Sequence, residues 1–434
     1  MISRIRFHYY FWLVVFIFLL PARALSSLIY VPNTYGLSAR SIALVNAITA
    51  DDEDISLAYY APAGLAEAQG FNFALGYIYS MPHLSGGMKG GTTIEERYNN
   101  RILSIGLTAD IAGLFFQEPK FKLGFGLNLT ADDNFRTLMA FNDLRRQDGE
   151  FYRYGLSNFS IQSAFGLGIT DWLSIGAGFH GGFQGNGEVF TEADVSEYTL
   201  NEGTAMYGKL IPVPLGSIRI FDDNWAVGVT YRHETFGTFE PIDVTATPMI
   251  SGVPLSEMYL PLNFFDTFVP HQVATGVKFD LSDKVTVFGD LTWCDWSSFA
   301  QMSEADQYVG SLSDFESVDT WVPKVAMEIE AFHGFDARWG YRYEPTPFET
   351  IGTRHPMNLQ DINGKVILDN DVHVGSLGGG YVFSYPETLR LNIVLDFAYQ
   401  FQYLVPRTAR TSDGIPFESE GNIHMFTSSI TFDF

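Results

Sequence analysis

Residues 71–81 read FNFALGYIYSM, and their alternation decides the fold. Phe71, Phe73, Leu75, Tyr77, Tyr79 and Met81 fall on one register; Asn72, Ala74, Gly76, Ile78 and Ser80 fall on the other. A helical turn would mix the two sets. The segment therefore reads as a strand with one oily face and one face of small or polar residues. Downstream, Leu103, Ile105 and Leu107 oppose Ser104, Gly106 and Thr108. Next, Phe121, Leu123, Phe125, Leu127 and Leu129 oppose Lys122, Gly124, Gly126, Asn128 and Thr130.

The same period continues through 159–169, 173–183, 213–220, 225–232, 271–279, 285–293, 325–331, 337–343, 373–383, 389–399 and 424–434. With the first three segments this makes fourteen strands of membrane-spanning length, an even number, as a bacterial outer-membrane barrel requires. The connections alternate in length. Residues 170–172, 222–224, 282–284 and 333–334 are tight, whereas 132–158, 184–212, 234–270, 295–322 and 344–372 are long. That asymmetry fits short periplasmic turns and long outer loops, with both chain ends in the periplasm.

Charge placement separates this reading from a secreted sandwich or propeller, whose outer face would carry the charges. Lys122, Arg219, Arg232, Lys278, Arg338, Arg342 and Arg390 sit on the non-oily register, as do Asp110, Asp280, Asp290, Glu328, Glu330 and Asp396. An oily register nearly free of charge suits lipid, where a charge at mid-depth costs about 2–4 kcal/mol. The expected fold is all-β, a 14-stranded antiparallel transmembrane barrel over residues 70–434.

Upstream, residues 35–66 read YGLSARSIALVNAITADDEDISLAYYAPAGLA. This stretch of small residues and short pieces cannot bury a core of its own, so residues 25–69 are expected to form a hatch of short helices and turns inside the tube. Its body starts near Asn33. A fourteen-stranded ring is too wide for its own side chains to fill. Residues 1–24 read as a signal peptide: Arg4 and Arg6, an apolar middle at 9–20, and Ala22-Arg23-Ala24 for cleavage. The apolar middle is too short to span a bilayer as a helix.

Composition agrees. The chain has 38 Phe, 22 Tyr and 41 Gly, with 46% apolar and 18% charged residues, which excludes a disordered chain. A net charge of −24 argues against nucleic acid as a partner. A single cysteine, Cys294, permits no internal disulfide.

Leu57-Ala58-Tyr59-Tyr60-Ala61-Pro62-Ala63-Gly64-Leu65-Ala66 resembles the YYNPAGLA box of the FadL-type outer-membrane transporters. Trp296-Ser297-Ser298-Phe299, the run from Trp339 through Glu344-Pro345-Thr346-Pro347, and Leu368-Asp369-Asn370-Asp371 before Ser376-Leu377-Gly378-Gly379-Gly380-Tyr381 are similar too, in the family's order. The resemblance covers nearly all of the mature chain. It implies passive uptake of long-chain fatty acids or similar hydrophobic molecules, a hatch centred on Tyr59, Tyr60, Ala61, Pro62, Ala63 and Gly64, and a monomer. It also implies release through a gap at a kink in the third strand, where Gly124 and Gly126 are the candidates and would permit close approach or a bend. The terminal Phe434 resembles the signal read by the outer-membrane assembly machinery. One departure is Ala61, where the family's box has Asn; it bears on how the hatch moves.

The residues suggest further roles. Lys122, Arg219, Lys278, Arg338 and Arg390 cluster toward the periplasmic rim and could hold the acidic run Asp51, Asp52, Glu53 and Asp54 of the hatch. They could instead pair with inward acids such as Asp280 and Asp336, or receive a ligand carboxylate, since Arg offers a bidentate fork. Arg338 and Arg342 are candidate ligand residues. Leu260, Leu262, Phe264, Phe265 and Phe268 form an oily outer segment fit to capture a ligand. No metal or phosphate motif appears, His271, His373 and His424 have no evident Ser partner, and no cofactor or enzymatic activity is expected. A general diffusion porin and an adhesin are the alternatives. Beyond the ligand, outer-membrane lipids are the expected partners.

Overall fold

The computed structural model describes residues 30–90, 94–96, 99–116, 121–132, 150–151, 159–194, 199–251, 253–254, 258–299, 312–313, 317–332, 334–348, 353–354, 365–384, 392–410, 414 and 416–434. The expected signal peptide lies outside them. Among them, fourteen strands form the wall: β1 Phe71–Met88, β2 Asn100–Asp110, β3 Leu123–Asp132, β4 Ser160–Thr170, β5 Leu173–Asp194, β6 Thr199–Asp222 and β7 Trp225–Arg232. They continue as β8 Gln272–Ser282, β9 Val285–Cys294, β10 Thr320–Phe332, β11 Phe335–Glu344, β12 Val372–Ser384, β13 Asn392–Arg410 and β14 Pro416–Asp433. Each wall strand pairs antiparallel with its chain neighbours, and β1 closes on β14 from Asn72↔Asp433 to Met88↔Phe417. Closure leaves no open edge, which is what lets a sheet sit in lipid.

Phe71 and Phe434 exchange backbone hydrogen bonds of 3.3 and 3.0 Å, so both ends of the barrel segment share one rim. The turns at 171–172, 223–224 and 283–284 and Gly334 lie on that lower rim; the long connections lie on the upper one. Tyr77, Phe165, Ile175, Ile218, Trp321, Leu377, Phe397 and Phe426 are among the apolar side chains exposed on the outside. Facing inward, Arg219, Lys278, Asp290, Arg338 and Arg342 are buried. The oily face meets the bilayer, and the charged face surrounds the lumen.

Two segments expected as loops are strands instead. Residues 184–194 and 199–212 prolong β5 and β6, paired as far as Asp194↔Thr199. Within 234–270, a hairpin of Thr235–Ile250 and Met258–Val269 lies parallel on that extension, from Thr238↔Gln184 to Met249↔Asp194.

The hatch fills the lower lumen with α1 Val31–Thr34, α2 Ala39–Ala43, α3 Leu57–Tyr60 and a 3-10 turn, Pro62–Glu67. Ser38 caps α2 reciprocally with Ser41, which supplies partners for backbone groups that water cannot reach. Ile42, Leu44, Ile48, Leu57 and Leu65 are fully buried, each worth about 1.5–3 kcal/mol. What lets hatch side chains meet the backbone of the wall is a ring of inward glycines. A Cβ on Gly106 would stand 2.5 Å from Ile55, on Gly126 2.9 Å from Leu65, on Gly340 2.8 Å from Val45 and on Gly378 2.6 Å from Ala43.

Candidate functional site

The acidic run of the hatch is tied down by cations from both sides. Arg40 of the hatch bridges Asp51 and reaches Glu328 of β10 at 3.0 Å and Asp54 at 3.8 Å. Lys278 of β8 stands 3.3 Å from Asp51 and 2.8 Å from Asp52. Arg219 of β6 bonds Asp52 at 2.8 Å and the Ala50 carbonyl at 2.9 Å. Burial alone would raise the Asp51 carboxyl, yet Arg40 and then Lys278 hold it well below the usual carboxylate range. Burial pushes Asp54 up, against the pull of Arg40 and the bonds from Ser56.

The Tyr59–Gly64 box is held chiefly by its backbone. Arg232 of β7 donates to the Tyr59 carbonyl (3.3 Å), Thr230 to the Tyr60 carbonyl (2.9 Å), and the Ala63 amide to Ser217 of β6 (2.6 Å). Tyr59 donates its hydroxyl to Asn33 and Tyr60 to the Pro32 carbonyl. Burial pushes the Tyr59 hydroxyl up to about 12, so it stays a donor at neutral pH. Ala61 makes its hydrogen bond through its amide, to the Leu57 carbonyl at 3.0 Å, which closes α3. At this position, where the FadL box carries Asn, the side chain is a methyl group.

Directly above Tyr60 lies a cavity of about 90 Å³. Arg232, Lys324 and Arg342 line it with Gln272, Thr292 and Cys294, and Glu344 is the carboxylate among its walls. Arg342 bonds Glu344 at 2.8 Å and the Thr34 carbonyl at 3.2 Å; Lys324 bonds the Asn46 carbonyl at 3.2 Å. Counting the neighbouring Asp290, which accepts from Thr49 at 2.6 Å, one positive charge remains in excess. Trp296 and Pro345 also line the cavity.

Above Trp296 the outer connections bring four aromatic rings together. Phe268 stacks on Phe299 at 4.9 Å, and Trp296 meets Phe348 edge-on at 5.8 Å. Phe268, Phe299 and Phe348 are all buried. Arg407 of β13 fixes this cluster by donating to the Phe348 carbonyl, the Thr346 hydroxyl and the Asp369 carbonyl. Thr346 in turn donates to Asp369 (2.7 Å) and Asp371 (2.8 Å). The arrangement offers an oily mouth over a polar, net-positive floor.

No family model matches the chain. Alkane uptake protein A of Marinobacter nauticus is 25% identical over 429 residues, covering 93% of this chain and 91% of that protein. A Pseudomonas aeruginosa FadL homologue superposes with a TM-score of 0.57 at 15% identity, over 93% of this chain and 98% of that one. The P. putida toluene transporter TodX gives 0.53 at 13%, over 92% and 98%. The chain shares the closed fourteen-stranded barrel fold of FadL-type outer-membrane proteins. Its lower rim faces the periplasm and its loop-bearing rim the outside. These FadL-type relatives are transporters and channels.

Against that frame of strands, the residues singled out from sequence scatter. Tyr59, Tyr60, Ala61, Pro62, Ala63 and Gly64 all lie buried in the hatch. Of the five rim cations, Arg219 and Lys278 reach the acidic run and Lys122 bonds Glu67 of the hatch at 2.6 Å. Arg390 lies outside the described residues. Arg338 is spent on the barrel's own acids Glu328, Asp396 and Asp336, so it is not open to a ligand. Arg342 does line the cavity.

Phe268 belongs to the aromatic cluster, whereas the side chains of Leu260, Leu262, Phe264 and Phe265 lie outside the described ones. Gly124 and Gly126 correct an expectation. Strand β3 pairs without a register shift with β2 from Ile102↔Asp132 to Asp110↔Gly124, and with β4 from Leu123↔Leu167 to Thr130↔Ser160. The wall is therefore closed at both glycines, which face Leu65 of the hatch and are small so that it can approach. Sequence reading missed Arg40, Lys324 and Phe348 as site residues. The one available signal was that Arg40 is the lone cation among residues 35–66.

Proposed function

We propose that this protein takes up single-chain hydrophobic molecules bearing an anionic head, with fatty acids as the natural class, across the outer membrane. The observation that carries it is the net-positive cavity between the hatch and the aromatic cluster that includes Trp296. An alkyl chain gains about 0.8 kcal/mol for each CH₂ that leaves water, which the aromatic mouth supplies. The head would then meet Arg342, Arg232 and Lys324. The names of the relatives, an alkane uptake protein and a toluene transporter, support hydrophobic cargo. Working as a monomer with outer-membrane lipids as its solvent, and assembled through Phe434, completes the reading.

The test compares a fatty acid with the alkane of equal chain length, each bound to detergent-purified protein. Arg342→Gln is expected to weaken the acid by about 10- to 100-fold, the worth of one charge-assisted hydrogen bond, and to leave the alkane unchanged. Equal binding of acid and alkane by the native protein would transfer the reading to neutral hydrocarbons.

A further inference from the structure

On the lipid-facing side of the wall, three tyrosines bond histidines on or beside the next strand. Tyr231 of β7 meets Nδ1 of His271 at 2.8 Å, Tyr341 of β11 meets Nδ1 of His373 at 2.7 Å, and Tyr399 of β13 meets Nδ1 of His424 at 2.7 Å. His83 of β1 adds a fourth ring, edge-on to His424 at 6.1 Å. His83, His271, His373 and His424 stand 12, 11, 11 and 9 residues from the lower strand ends Phe71, Ser282, Ser384 and Asp433. At 3.3 Å per residue and a tilt near 40°, that is roughly 23–30 Å of height. The oily band of such a barrel is about 25 Å tall, so these rings lie where the outer leaflet's tails give way to headgroups.

Tyrosine alone anchors a barrel at this level; histidine brings something more. A phenol that donates to Nδ1 leaves the ring proton on Nε2, free to be shared with an acceptor. For His271 the Glu234 carboxylate, 3.5 Å from Nε2, takes that role. Among the described residues, Nε2 of His373 and of His424 has no protein partner. Both rings are half-buried, and such a donor at the edge of lipid costs free energy until an acceptor meets it. The acceptors that lipid supplies at this height are headgroup oxygens, and phosphate is the strongest of them.

The open histidines share one patch. Register pairs His373↔Tyr403, Tyr403↔Asn422 and Asn422↔His83 run across β12, β13, β14 and β1, three strand spacings or roughly 15 Å. His424 lies two residues below Asn422 on β14, and one row lower Arg101 of β2 covers the Tyr79 ring at 5.9 Å. Further out, Glu418 is paired with Lys89 at 2.7 Å and Asp371 accepts from Tyr343 at 2.9 Å, while Glu420 is exposed, where salt screens it. We propose that this face, centred on His83 and His424 and flanked by His373, binds the phosphate headgroup of an anionic lipid in the outer leaflet. The inference rests on the barrel's place in the membrane and not on the cargo it carries.

The experiment titrates detergent-purified protein with phosphatidic acid and with diacylglycerol of the same acyl chains, bound lipid being counted by native mass spectrometry. The native protein is expected to prefer phosphatidic acid by about 10-fold, the worth of one charge-assisted hydrogen bond. His83→Phe, His373→Phe and His424→Phe together keep the aromatic bulk and should abolish that preference, whereas His271→Phe should leave it intact. Tyr399→Phe removes only a hydroxyl and should lower the preference about 2- to 5-fold by freeing Nδ1 of His424. No preference in the native protein overturns the proposal, as does one that survives the triple variant or falls equally in His271→Phe. Should the triple variant fail to fold, an unchanged preference in Tyr399→Phe overturns it as well. A fatty acid retained by the native protein should be retained equally by every variant, so failure of the lipid site and failure of the uptake reading are told apart.

Discussion

Gly166 shows what a missing Cβ does in this barrel. Valine there would thrust side-chain atoms to within 2.5 Å of the Ala66 amide and 2.6 Å of the Pro62 carbonyl, backbone that cannot swing aside. Gly166→Val is expected to unseat the last turn of the hatch at about 1–3 kcal/mol, the usual cost of overpacking. Gly375, with nothing within 4 Å of its Cβ, is the comparator. Ion leak through bilayers should rise for Gly166→Val and stay at the native level for Gly375→Val; equal behaviour would remove the cradle. Glycines on the inward register were legible in the sequence, but what approaches them was not. A bend and a close contact are spelled with the same letter, and at Gly124 and Gly126 the structure shows the close contact. Arg338 takes the pairing with inward acids that stood beside the ligand role. A bulge between Glu330 and Phe332 shifts the β10–β11 register so that Glu328 faces Arg338. Without it Trp339 would stand opposite, and nothing in the residue types announces the slip.

The acidic element of the hatch has a pH response whose sign follows from its surroundings. Asp51 is held below its ordinary value, so its contribution to seating is complete above about pH 4, the unseated value. That contribution fades only as pH falls through the lower seated value. Asp54 is raised by burial, so the seated hatch binds its proton more readily than a released one would. Through Asp54, lowering pH favours seating, so on acidification the native hatch should gain protection from hydrogen exchange relative to Asp54→Asn. The same response in both proteins would contradict the assignment. Asp51→Asn leaves Arg40 and Lys278 under-compensated in a buried site and should loosen the hatch by about 3–5 kcal/mol, seen as protease access to residues 40–60. All fourteen wall strands were legible because lipid on one side and hatch or water on the other enforce strict alternation. The extension of β5 and β6 beyond about residue 183 was not. There the period-two signal weakens, and 184–212 resembled a loop.

At the scale of the whole molecule, wall and plug are separable in principle because they are stabilised by different things. The wall closes through a ladder from Asn72↔Asp433 to Met88↔Phe417 and through its lipid-facing side chains, neither of which involves residues 30–69. Among the described residues the hatch has no ladder with the wall and is held by the glycine ring, the anchored acids and the bonds to Tyr59, Tyr60 and Ala63. Deleting residues 30–69 should therefore leave a barrel that resists unfolding in detergent yet is hollow. A fourteen-stranded ring exceeds the width at which side chains alone fill the interior, roughly eight strands, so the hollow form must pass water and ions. Planar-bilayer recording should show steady openings in the deleted form and near silence in the intact protein. A large steady conductance in the intact protein, unchanged by the deletion, would mean the lumen was never sealed. The chain would then work as a diffusion pore, and a cavity with no seal beneath it could not hold a ligand for transfer.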